Sequence, residues 1–289
     1  MPRRLRLTEE KIQKMIAEGR GSGTGANYKP WLTITDVPSK GRSHRILGHK
    51  TGRIHHFLSD LEANYYYILA WSDAVIDIRE QFPLLPRAST ERIAEMLGYP
   101  HPKAAGNQVN EIMTTDFLIT VRDEKGTHDE ARYVKYEKDL ANDRVCEKLQ
   151  IEREYWQEKN VIFKIVSERS FHLTKAKNIE RILSCYDSSS IGQLENWNVT
   201  ALKRDLLALI QDRRYLRLAD VSATFERFND LDPGDGMKLF YHMAAHKEIP
   251  LRLEQKIIGT QPLSEIIDWE KTIFALEEDS KLKYGNNDQ

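Results

Sequence analysis

The sequence predicts a mixed α/β domain over residues 1–168 and a smaller helical domain over residues 169–289. Three observations predict this. Residues 53–167 read in order as helix, strand, helix, hairpin, helix and strand, the pattern of a mixed sheet flanked by helices. Residues 171–230 read as helices alone. A length of 289 residues is enough for two domains.

Composition narrows the class. Hydrophobic residues make up 40% and charged residues 30%, which suits a globular protein. No apolar run approaches the roughly 20 residues that a membrane span needs. The N-terminus lacks the apolar core of a secretory signal. Two cysteines, Cys146 and Cys185, fit a reducing compartment and cannot build a metal cluster alone. The expected location is the cytoplasm, without a membrane partner. The net charge of −1 hides an asymmetry, because residues 1–59 hold 12 Lys/Arg against 4 Asp/Glu. That basic lead suggests a local contact with a polyanion.

Residues 8–19 predict a helix, with Thr8 as cap, Ile12, Met15 and Ile16 on one face, and Gly19 as its end. Gly21–Gly25 lacks the Gly-Lys-Ser/Thr ending and the preceding strand of a phosphate loop, so it reads as a flexible loop. Residues 28–41 read as irregular, with one short strand at most. Residues 41–56 then set Arg42, Arg45, Lys50 and Arg53 among His44, His49, His55 and His56. The histidine spacing does not suit zinc. A strand–turn–strand with its turn at Lys50–Gly52 fits better. Its candidate DNA-phosphate contacts are Arg42, His44, Arg45, Lys50, Arg53, His55 and His56.

Ser59 opens a helix through Trp71 that carries Leu61, Tyr65, Tyr66, Ile68 and Leu69. Ser59-x-x-Glu62 is a capping box, in which Glu62 folds back to the Ser59 amide. This stretch by itself favours capping; a carboxylate one turn into a helix can also serve as a metal ligand, and the two uses exclude each other at any instant. Val75–Pro83 predicts a strand, residues 89–97 a short helix capped by Ser89 or Thr90, and residues 100–107 a loop. Met113–Arg122 and Ala131–Lys138 predict a hairpin across a polar loop, Asp123–Glu130, with Gly126 as the turn residue. Asp116 opens the first strand and Lys135 sits inside the second. A carboxylate that holds a divalent cation and a lysine that stabilises charge on a phosphate form the skeleton of a metal-dependent nuclease. Residues 141–159 predict a helix bearing Glu147, Glu152 and Arg153, and Val161–Val166 a buried strand.

Several runs resemble the TnsA family, the endonuclease half of the heteromeric transposase of Tn-seven-type cut-and-paste transposons. They are Gly41–Arg45, His49–Glu62, Asp77–Leu85, Thr115–Leu118, Val134–Lys135 and Glu147–Trp156. The likeness covers most of residues 12–168 and thins past residue 170. It implies a restriction-endonuclease-like catalytic domain and a C-terminal winged-helix-like, partner-binding domain. It implies cleavage of double-stranded DNA at the 5′ ends of the transposon. A DDE-type subunit, TnsB, would cut the 3′ ends, and an AAA+ ATPase, TnsC, would regulate both. Carried over by position, Glu62, Asp116 and Lys135 are the implied catalytic triad, and Glu152 is a further carboxylate near two Mg²⁺ ions, for which Mn²⁺ can substitute. The family usually has Gln two residues before the lysine, where this chain has Tyr133. Tyrosine is a poor Mg²⁺ ligand, so the expected metal ligands are Glu62, Asp116 and the main-chain carbonyl of Val134. The rival expectations are a stand-alone restriction- or repair-type nuclease and a non-cleaving adaptor that kept the fold.

In the second half, residues 174–184, 200–212, 217–229 and 236–246 predict helices, with breaks at Asp187–Ser190 and Asp232–Gly236. Residues 247–258 predict a short hairpin, with Pro250 at an edge. Three helices and a hairpin fit a winged helix. Tyr241, His242, His246 and Lys247 are candidates for DNA contact. From residue 169 on, 17 Lys/Arg against 19 Asp/Glu favour a protein partner instead. Residues 277–289 read as a polar tail.

Overall fold

A computed structural model of the chain describes residues 7–37, 41–104, 106, 108–124, 126–187 and 199–271. The chain divides into two compact units, Met1–Phe171 and His172–Gln289. Among the described residues no helix is long and apolar enough to cross a membrane.

The first unit is built on a four-stranded sheet. Strands β3 (Val75–Pro83), β4 (Thr114–Asp123) and β5 (Gly126–Val134) run antiparallel in turn, and β6 (Ile162–Val166) pairs with β5 in parallel. Helix α4 (Asp143–Glu158) makes the crossover that a parallel pair requires. Side chains alternate along β4, so Phe117 and Leu118 enter opposite faces. Phe117 joins Phe57, Tyr65 and Tyr66, the last two on α2 (Asp60–Trp71). Leu118 joins Ile93 and Ala94 of α3 (Arg87–Leu97) and Ile151, Tyr155 and Trp156 of α4. Helices thus cover both faces, as the order of elements predicts.

The expected polar loop over 123–130 is mostly strand. Asp123 pairs with Gly126 across a tight turn, and Gly126 takes φ +111°. Asp129 there accepts from Arg79 and Thr120, which ties the polar stretch into the ladder. β5 ends at Val134, and residues Glu137–Ala141 form a 3-10 turn, so Lys135 lies just beyond the strand. Helix α3 begins at Arg87 rather than at residue 89, and the Thr90 hydroxyl donates to the Arg87 carbonyl instead of capping.

The N-terminal segment covers the outer edge of β3. Helix α1 (Glu9–Ala17) is capped by Thr8 and buries Ile12 and Met15 against Trp31. Gly21–Gly25, expected to be flexible, is a packed turn. Gly21, Gly23 and Gly25 take positive φ. A Cβ on Gly21 would lie 2.1 Å from Pro83 Cγ, so only glycine lets the loop lie this close to β3. Gly25 N–H donates to Asp77, the Tyr28 hydroxyl to the Glu80 carbonyl, and Trp31 N–H to the Gln81 carbonyl. An edge strand is otherwise open to pairing with another chain. Residues 28–37 contain no strand.

The second unit holds α5 (Leu173–Leu183), α6 (Val199–Asp212), α7 (Leu218–Phe228), α8 (Asp235–Ala245) and the short α9 (Leu263–Ile266). Ile179, Leu206, Phe225, Phe240 and Met243 form its interior. The hairpin expected over 247–258 is absent. Asn178 and Arg181 of α5 take the carbonyls of Leu253, Gln255 and Ile257, which a hairpin would pair across itself. Leu251 instead bridges Ile267, and Arg217 bridges Pro262. Tyr241 and His242 are buried, and His242 Nδ1 meets the Cys185 carbonyl, so neither faces DNA. His246 stacks on Tyr186 at 4.5 Å. The expected break at Asp187–Ser190 lies largely, and the tail over 277–289 wholly, outside the described residues.

Candidate active site

Glu62 sits one turn into α2, where Ser59 Oγ accepts from its N–H over 3.2 Å. Its carboxylate accepts from the Ser59 hydroxyl at 2.7 Å and from the Leu58 amide at 3.0 Å, so it reaches one residue further back than the Ser59 amide. Capping and proximity to the candidate site coexist here. Burial pushes the Glu62 carboxyl up, against the lowering effects of these donors and of Lys135.

Asp116 belongs to β4, and its Oδ2 accepts from Val134 N–H over 2.6 Å. The ladder pairs on either side, Glu80↔Phe117 and Phe82↔Thr115, place Gln81 of β3 opposite it. On its other flank the pairing Phe117↔Arg132 places Tyr133 opposite it. Burial and then the neighbouring Glu62 charge push the Asp116 carboxyl up to about 8, while Val134, Lys135 and Gln81 act against them. A buried carboxyl raised by a neighbouring carboxylate has too little positive charge around it.

Lys135 follows Tyr133 and Val134 and is half-buried, and its amide donates to the Val166 carbonyl over 2.9 Å. Its ammonium lowers both carboxyls, which brings Glu62, Asp116 and Lys135 into one electrostatic neighbourhood. Glu152, from α4, is buried beside them. Burial and then Asp116 push its carboxyl well up. Thr115 and Trp156 stand near it, yet Oε1 makes no hydrogen bond of good geometry, and neither does the Trp156 indole N–H. Burial also raises the Tyr133 phenol, with Asp116 and Glu152 adding to it.

The basic hairpin is placed differently from expectation. Strands β1 (His44–Leu47) and β2 (Ile54–Phe57) form it. Arg53 makes a two-pronged bond to Glu80 at 2.8 and 2.6 Å, and His55 Nδ1 meets the same carboxylate at 2.8 Å. Lys50 donates to the carbonyls of Ser72 and Val75, and His44 bonds Asp60 at 2.6 Å. Lys50, Arg53 and His55 therefore hold the hairpin onto α2 and β3 rather than reaching outward. The reason is Glu80: a carboxylate fully buried in β3 must be matched by cations. Arg42 and Arg45 stay exposed, and Arg45 pairs across the ribbon with the partly buried His56.

Two family profiles match the chain. The one described as TnsA-like endonuclease N terminal covers residues 72–168, and the one described as TnsA endonuclease C terminal covers residues 173–251. The chain belongs to the TnsA family. It is 46% identical over 179 residues to the Escherichia coli protein named Transposon Tn7 transposition protein TnsA. That alignment covers 62% of this chain and 64% of its relative, under two thirds of the relative's length. Against the TnsA pattern, the mixed sheet with flanking helices fits a restriction-endonuclease-like fold.

The TnsA resemblance named Glu62, Asp116, Lys135 and Glu152, and the fold brings all four to one end of the sheet. Among the described residues no group of three or more His, Cys, Asp or Glu side chains is placed to hold a metal ion. Gln81 also stands at the carboxylates, and the sequence reading did not single it out. It lies in the run Asp77, Arg79, Glu80 and Gln81, polar residues of one strand whose burial only the fold reveals.

Proposed function

We propose that this chain is the endonuclease subunit of a heteromeric transposase, hydrolysing a DNA phosphodiester at the 5′ ends of a transposon during cut-and-paste transposition. The observation that carries this reading is the meeting of Glu62, Asp116 and Lys135 within a chain of the TnsA family. The donor set fits Mg²⁺: Glu62 and Asp116 offer hard carboxylate oxygens, the Glu62 charge raises the Asp116 carboxyl, and the buried Glu152 Oε1 beside them has no hydrogen-bond partner. Glu62, Asp116 and the Val134 carbonyl would hold two Mg²⁺ ions, or Mn²⁺ in their place. Bound there, such ions supply the acidity that generates hydroxide at neutral pH and stabilise the leaving oxygen.

The chain's own groups do the positioning. Lys135 places an ammonium beside the attacked phosphate and offsets the charge that grows on it. The Val134 amide keeps Asp116 turned toward the strand end. Glu152, buried on α4 with its carboxyl pushed up by burial and by Asp116, would be the further carboxylate near the ions. Arg42 and Arg45 would contact DNA phosphates. The partners would be transposon-end DNA, a DDE-type subunit, TnsB, and an AAA+ ATPase, TnsC. Free thiols at Cys146 and Cys185 suit a reducing bacterial cytoplasm.

The test is end cleavage in the presence of TnsB, TnsC, ATP, Mg²⁺ and transposon-end DNA. Wild type should nick the 5′ ends, and Asp116→Asn or Lys135→Ala should abolish nicking with folding intact. Unchanged nicking in both variants removes the proposal. Tyr133 beside Asp116 favours a second reading, a non-cleaving adaptor. Mn²⁺ binding by wild type without any 5′ nick would select it. Cleavage without partners would select a stand-alone nuclease.

A further inference from the structure

We infer that Gln81 is a positioning residue whose carboxamide sets Glu62 and Asp116 at the separation a shared divalent cation requires. This rests on the reading above and deepens it. Gln81 has φ +48°, in the left-handed region that non-glycine residues seldom adopt, and it does so inside a strand. It is also 3% exposed. Such strain persists only where the surroundings hold it. Here they do. The turn removes the Gln81 carbonyl from the β3–β4 ladder, and Trp31 N–H donates to it over 3.2 Å.

The side chain is held as firmly as the backbone. The Thr114 hydroxyl donates to Gln81 Oε1 over 3.4 Å, which leaves Nε2 facing the carboxylates. Nε2 donates to Glu62 Oε2 over 3.3 Å, and the same carboxamide, which lies opposite Asp116 across the β3–β4 ladder, acts to lower the Asp116 carboxyl. One neutral donor thus spans two carboxylates from different elements, α2 and β4. A carboxylate at this position would add a third anion. An apolar side chain would leave Lys135 as the shared partner of Glu62 and Asp116, without the carboxamide that sits between α2 and β4. Groups that hydrogen-bond to ligating carboxylates orient them, and their loss weakens metal binding by about 10–100-fold.

The test uses the full chain, with Mn²⁺ as probe, free Mn²⁺ read by paramagnetic resonance, and metal-free melting as a second readout. Two variants separate position from structure. Gln81→Gly accepts the backbone conformation without strain but has no carboxamide. Gln81→Met keeps the length and removes the donor. Both are expected to bind Mn²⁺ about 10–100-fold more weakly, measured where each is folded. Gln81→Gly should melt at or above the wild-type temperature. A merely structural role would lower melting and leave Mn²⁺ affinity unmoved, and that result overturns the inference. So does wild-type Mn²⁺ affinity in Gln81→Met. If wild type itself binds no Mn²⁺, the metal reading of the site fails first and takes the inference with it.

Discussion

The main-chain N–H of Val134 donates to Asp116 Oδ2 over 2.6 Å. This bond joins the strand that carries Asp116 to the residue immediately before Lys135. The lysine therefore inherits its position from the carboxylate it works with. Lys135→Ala should remove cutting and leave the melting temperature within about 2 °C, because truncating a half-exposed side chain changes stability by about 0.5 kcal/mol or less. A melting loss of several degrees would show that Lys135 is chiefly structural.

Asp116→Asn should stabilise the metal-free protein at high pH more than at low pH. The carboxyl ionises at about 8 in the folded chain, against an ordinary value near 3.9. For a raised acid, the stability of the neutral form is fully present below the unfolded value. It is lost as pH rises toward the folded value. Melting of wild type and variant should therefore diverge between pH 4 and 8. Parallel melting curves across that window would contradict the assignment.

Arg53→Ala should destabilise the fold by about 3–5 kcal/mol, since it leaves Glu80 as an unmatched buried charge. Burial alone would raise Glu80, but its bonds to Arg53 and His55 outweigh that and hold it down to about 2. A lowered acid contributes stability that is present above its unfolded value of about 4.3 and lost as pH falls through about 2. Denaturant titration at pH 7 and pH 2 measures both effects. A stable Arg53→Ala protein with reduced DNA binding would return Arg53 to the DNA-contacting set.

Arg45→Ala should behave oppositely. Arg45 is exposed on the ribbon, so its loss should leave melting unchanged. It should weaken DNA binding evenly across sequences and reduce the slope of log K against log salt by about 1. Anisotropy titrations at several salt concentrations check this.

Gly21→Ala should cost about 1–3 kcal/mol of stability, from overlap with Pro83 and from the positive φ. A melting temperature equal to wild type would return Gly21–Gly25 to the flexible loop that the sequence suggests.

Much of the fold was legible in residue pattern. Ser59 and the aromatic run after it mark α2, and Gly126 marks the turn of the central hairpin. Asp116 and Lys135 are legible as a carboxylate and a lysine on one predicted hairpin, Glu62 as either a cap or a ligand, and the family likeness tips Glu62 toward the site and adds Glu152. Elsewhere tertiary contacts override local signals. Gly21–Gly25 looks mobile by composition, and its order comes from distant residues of β3, Pro83 against Gly21 and Asp77 bonded to Gly25. Arg53 and His55 look like a DNA face until Glu80 claims them. The hairpin expected after residue 247 yields to Asn178, whose carboxamide competes for the same carbonyls. Gln81 is silent in sequence because left-handed glutamine has no local signature.

The cover over β3 has a practical consequence for dissection of the protein. Similarity to the N-terminal family profile begins at residue 72, downstream of α1, the glycine turn and the basic ribbon. A fragment cut at that boundary would keep Asp116 and Lys135 but lose Glu62. It would also strip β3 of Gly25, Tyr28, Trp31 and Arg53 and uncover the Glu80 charge. Its bare edge would recruit strands from other copies, so it should precipitate rather than yield a minimal nuclease.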